Sequence, residues 1–244
     1  MNKWIPVILI AGFALAAVYI LSSEMASHKR LGLDQTMADQ LYYSGQDVIV
    51  LKPTITESAY GPNGFYWYYE GRCGMECLTI PLQKGEIQRW GAYNVKTVYF
   101  LEQYNWPVLS DYDLHQELRF NPDYLLQYDT VILLHNEYVT QEIFDAITKH
   151  PNIIYLMPNA LYAEVEINDG MITLVRGHNY PERQISNGFA WEYDNSVEEY
   201  DMDCKNWQFR PLYNGWQLNC YPERDFIEKP EIMLKVIELI IKPN

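Results

Sequence analysis

In Tyr128-Asp-Thr130-Val-Ile-Leu-Leu134-His135-Asn-Glu137-Tyr138 an apolar, β-branched run gives way to two ionisable side chains. The uncharged run from Thr130 to Leu134 reads as a strand buried on both faces. His135 and Glu137 follow two residues apart, on one side of the chain if extended geometry continues. Thr140-Gln-Glu142 then opens a helical pattern with Ile143, Phe144 and Ile147 on one face. Strand, polar corner and helix form the arrangement in which open α/β sheets place ligand sites, at the carboxyl ends of strands. The alternative is that His135 and Glu137 only hydrogen-bond their own loop.

The same alternation extends outward. Asp47-Val-Ile-Val-Leu51 reads as a first strand stopped by Lys52-Pro53, Trp106-Pro-Val-Leu109 as a second, and Asn152-Ile-Ile-Tyr-Leu-Met157 as another. A short helix from Asn121-Pro122 to Gln127 and a longer one over 141–149 separate them. This spacing predicts an α/β fold with a mostly parallel sheet flanked by helices. Asn168-Asp-Gly170 marks a β-hairpin within residues 163–175. Residues 192–225 are expected to be irregular with short strands, and Pro230 to Ile241 to close the chain as an amphipathic helix. Ala59-Tyr60 to Tyr69 reads as an aromatic loop, either packed on the surface beside Cys73 and Cys77 or serving as a binding wall.

A formal net charge of −14 over 244 residues excludes nucleic-acid binding through a basic patch. Trp4 to Leu21 is uncharged and as a helix would rise about 27 Å, enough to cross a hydrocarbon core. The expectation is one N-terminal transmembrane helix, with residues 1–30 as membrane anchor and tether and 31–244 as an extracytoplasmic α/β domain. A cleaved signal peptide is the alternative. Cys73, Cys77, Cys204 and Cys220 make an even set behind an export segment, which fits two disulfides with pairing undetermined. Their spacing is a poor zinc pattern.

Asp111-Tyr-Asp-Leu-His115, the Tyr128–Tyr138 stretch and Ile154-Tyr-Leu-Met-Pro-Asn159-Ala-Leu-Tyr162 together resemble the carboxy-terminal domain of the N,N-dimethylformamidase large subunit and its relatives. The resemblance covers about residues 95 to 165. It implies a class I glutamine-amidotransferase-like fold carrying a mononuclear iron held by two tyrosines and a glutamate. On that resemblance Glu137 is the metal-binding glutamate, His135 the histidine that hydrogen-bonds or shuttles a proton, and Asn159 the amide that orients substrate. Tyr60 and Tyr93 are the candidate tyrosine ligands. Assembly as a homo- or hetero-oligomer stays open.

Hard oxygen ligands suit a ferric ion acting as a Lewis acid on an amide carbonyl. Glu223 is a further carboxylate that would serve as general base or remain a solvated loop acid. His178 would line the same cleft or sit satisfied in its loop. No cysteine follows a strand within residues 95–165, so thiol catalysis of the amidotransferase kind is not expected. The resemblance therefore implies metal-assisted hydrolysis of a small amide or related C–N bond. The alternative is a non-catalytic domain of the cell envelope that binds a ligand or another protein.

Overall fold

Val48, Val50, Ile132, Leu134 and Ile154 pack into one apolar cluster, while Ile49, Leu51, Val131, Leu133 and Ile153 pack into another. Alternate residues of uncharged strands therefore feed two cores, one on each face of a sheet. The computed structural model describes residues 45, 47–83, 104–177, 179–221 and 230–241. Its main sheet contains β1 (Val48–Lys52), β3 (Val108–Ser110), β4 (Thr130–Leu133), β6 (Ile153–Tyr155), β9 (Phe209–Leu212) and β10 (Gly215–Leu218). The order is β3-β1-β4-β6-β10-β9, with every pair parallel except β10 with β9.

A second sheet runs β2-β8-β7-β5, from β2 (Thr79–Pro81), β5 (Tyr138–Val139), β7 (Ala163–Asn168) and β8 (Met171–Arg176). The hairpin of β7 and β8 turns at Asp169 and Gly170, both with positive φ, as its sequence requires. Helices α1 (Thr54–Ala59), α2 (Phe65–Tyr69), α3 (Asp111–Leu118) and α4 (Gln141–Lys149) contribute to the first core. Helix α5 (Pro230–Ile241) lays Ile232, Val236, Ile237 and Ile240 on the second, so helices flank the main sheet on both faces.

One expectation changes. The aromatic stretch is not a loop, because Phe65 is fully buried and anchors α2 against the core. Gly64 allows the tight turn between α1 and α2, since a Cβ there would stand 2.1 Å from the Ala59 carbonyl oxygen. The described part of residues 192–225 carries short strands as expected, and one of them, β10, enters the main sheet parallel to β6. All four cysteines are paired, as Cys73–Cys77 and Cys204–Cys220, which leaves no thiolate for zinc. Among the described residues no helix is long and apolar enough to cross a membrane; Trp4 to Leu21 lies outside them.

Candidate functional site

Four adjacent parallel strands end on one side of the sheet, and each delivers a polar side chain there. The chain after β1 brings Tyr60, that after β4 brings His135 and Glu137, that after β6 brings Asn159, and that after β10 brings Tyr221. Glu137 Oε2 accepts a 2.7 Å hydrogen bond from the Tyr60 hydroxyl and lies 3.3 Å from His135 Nε2. Asn159 Nδ2 is 3.1 Å from the same ring nitrogen, and the Tyr221 hydroxyl is 3.0 Å from His135 Nδ1. His135, Glu137 and Asn159 are 3%, 2% and 1% exposed, so these contacts form out of bulk water.

The corner is held from several directions. Thr56 Oγ1, in α1, accepts the backbone N–H groups of both Glu137 and Tyr138 at 3.0 Å. The Glu137 carbonyl accepts from the Tyr162 and Ala163 N–H groups, and the Asn136 carbonyl from that of Leu161. Leu161 adopts a left-handed φ of 57°, a conformation costing on the order of 1 kcal/mol for a side chain with a Cβ. Asp111, fully buried at the start of α3, accepts from Ile55 N at 3.0 Å and from Asn136 Nδ2 at 3.2 Å. It ties α1 to the residue between His135 and Glu137.

Protonation at His135 cannot satisfy every neighbour at once. A neutral ring with its proton on Nδ1 donates to Tyr221 and accepts from Asn159, but turns a lone pair toward the Glu137 carboxylate. A doubly protonated ring pairs with Glu137 and then meets the Asn159 amide donor to donor. Flipping Asn159 would relieve that clash but set its carbonyl oxygen against Glu199 Oε2, which Nδ2 now contacts at 3.2 Å. Asn159 Oδ1 is buried without a hydrogen-bond partner among the described residues.

A cleft of about 310 Å³ opens beside this corner, lined by Glu137, Glu199, Tyr66, Tyr69, Tyr162 and Tyr200, with Tyr138 and Asn179 completing the wall. Burial, and then the Glu137 charge, push the phenols of Tyr60, Tyr66, Tyr69 and Tyr162 well above their ordinary range. Burial, and then repulsion from Glu137, also raise Glu199. Among the described residues, neither carboxylate forms an ion pair with a lysine or arginine.

Of the residues expected from sequence, Tyr60, His135, Glu137 and Asn159 come together. Tyr93, His178 and Glu223 lie outside the described residues. His115 belongs elsewhere, with Nδ1 at 3.0 Å from Thr140 Oγ1 and 3.7 Å from Glu142. Asp113 of the same motif lies in the first turn of α3, where the capping Ser110 Oγ accepts its N–H at 3.0 Å. Tyr66, Glu199 and Tyr221 were not anticipated; the density of tyrosine in residues 60–69 was the available signal for the first of them. No protein-family model matches the chain and no curated protein matches it.

Among the described residues no three His, Cys, Asp or Glu side chains stand together as a metal site. Any metal here would have to take phenol oxygens. The donor set meets that need, since Glu137 Oε2, Tyr60 Oη and Tyr66 Oη are linked at 2.7 and 2.8 Å, with His135 Nε2 3.4 Å from Tyr60 Oη. Hard oxygen donors in a buried site that, among the described residues, pairs with no lysine or arginine fit a trivalent cation, whose charge would favour phenolate over phenol.

Proposed function

We propose that this chain hydrolyses a small amide or related C–N bond at the Glu137 corner with the help of a bound metal, in an extracytoplasmic domain tethered by its N-terminal segment. The carrying observation is the convergence of Glu137, His135, Asn159 and Tyr60 within hydrogen-bond reach of one another. Glu137 and Tyr60 would hold the ion, with Tyr66 as a third oxygen. When bound, a ferric ion supplies Lewis acidity toward a carbonyl oxygen and toward water. His135 Nε2 accepts the proton of the attacking water and returns it to the leaving nitrogen, giving carboxylic acid and amine. Tyr221 on Nδ1 fixes the ring, and Asn159 Nδ2 holds the substrate beside it. The parallel order β3-β1-β4-β6-β10, with the corner at its carboxyl end, supports the finer assignment to a class I glutamine-amidotransferase-like fold. The two disulfides support an oxidising compartment outside the cytoplasm.

The test is metal analysis and visible absorption of the purified full chain, with amine release followed over a series of small amides. The expected result is near-stoichiometric iron with a phenolate-to-iron band, lost together with hydrolysis in Glu137→Ala and Tyr60→Phe. A folded, colourless, metal-free protein overturns the proposal. One observation favours a second reading as a non-catalytic binding domain: His135 is 3% exposed and both ring nitrogens are engaged. In that case Glu137→Gln changes ligand affinity, and no amine is released by either form.

A further inference from the structure

The cleft beside the corner combines two features that are rarely wanted together in a site for a neutral amide. Its wall is aromatic, with Tyr66, Tyr69, Tyr162 and Tyr200 around the opening and the buried Tyr138 behind them. Its charge is negative, from the half-buried Glu199 and, in the metal-free chain, from Glu137. Neither acid forms an ion pair with a lysine or arginine among the described residues, and His135 pairs with Glu137 alone. Glu199 is oriented by Asn159 Nδ2 at 3.2 Å, so its carboxylate is fixed in the wall rather than swept through solvent.

Aromatic rings carry a negative face and attract cations whose hydration is weak, and a nearby carboxylate adds a counter-charge. A small inorganic cation would stay hydrated and gain little from the rings. An alkylated ammonium group presents methyl surface to the rings and spreads its charge over that surface, and a cleft of about 310 Å³ admits one with a short chain attached. We infer that this cleft binds an alkylammonium group, with Tyr69, Tyr162 and Tyr200 as its aromatic walls and Glu199 as its counter-ion. Tyr200 is 81% exposed and stands at the mouth, with its hydroxyl hydrogen-bonded to Glu199. If the corner hydrolyses amides, the inference narrows the substrate to an amide bearing such a cation. Binding itself does not rest on hydrolysis.

The full chain is titrated by calorimetry with choline and with its uncharged carbon isostere, 3,3-dimethyl-1-butanol. Choline is expected to bind at least about tenfold more tightly than the isostere. Glu199→Gln and Tyr200→Leu, both at accessible positions, are each expected to weaken choline about tenfold while leaving thermal unfolding unchanged. Equal affinity for the two probes, no binding of choline, or choline binding indifferent to Glu199→Gln overturns the inference. Choline binding without amine release from any amide leaves the inference standing and removes the hydrolase reading; amine release without choline binding does the reverse.

Discussion

Asp111 shows how one side chain can fix a site it does not enter. Its oxygens take the N–H of Ile55 and the amide of Asn136, so it joins α1 to the corner from inside the core. Asp111→Ala leaves those donors buried and unpaired, and unfolding in urea should show a loss of roughly 3 kcal/mol. Asp111→Asn should cost only roughly 1 kcal/mol, because Asn136 Oδ1 has no partner among the described residues and a flipped Asn136 amide can accept from the new one. Equal losses in the two variants would refute this account of the latch. His135, Glu137 and Asn159 were legible in the sequence because each follows an apolar strand directly. Tyr66, Glu199 and Tyr221 were not, since a short helix, a 3₁₀ turn and a loop bring them in through contacts distant in sequence.

Elements with strong local signals match their sequence closely. The β7–β8 hairpin follows its Asn-Asp-Gly turn, and α4 and α5 follow their apolar stripes. The join of β10 to β6 had no such signal, because a four-residue strand carries too little periodicity and its partner lies some sixty positions earlier. The Cys204–Cys220 disulfide secures this late element, spanning 16 positions just outside the β9–β10 hairpin, with both cysteines buried in the second core. Replacing both by alanine should lower stability by about 3 kcal/mol through the freed unfolded chain. Amide exchange in β9 and β10 should quicken more than in β1 and β4, and Tyr221 should lose its contact with His135. Uniform acceleration across the sheet would show that the bridge stabilises the whole fold without localising β10.

Across the whole molecule, buried acids give stability a definite dependence on pH. Burial raises Asp111 to about 7, and burial, only partly offset by Lys52, raises Glu57 to about 8. Both values exceed those of the unfolded chain, so the folded state holds extra protons between the two sets. Their stabilising contribution is complete below the unfolded values and is lost as pH rises through 7 and 8. His115 and His150 act in the opposite sense at lower pH, because burial depresses them and the unfolded chain takes up protons first. The window from pH 7 to 9 therefore isolates the acids. Glu57 carries an Oε1 with no hydrogen-bond partner among the described residues, which makes Glu57→Gln a mild substitution. The variant should match the parent at pH 5 and exceed it at pH 9 by roughly 1–2 kcal/mol, a figure discounted for partial solvent screening. Repulsion from the net charge of −14 also grows with pH, but it is nearly common to both proteins and largely cancels in the comparison. Urea midpoints measured across that window decide the matter: parallel curves would mean that Glu57 is already ionised in the folded protein at pH 7.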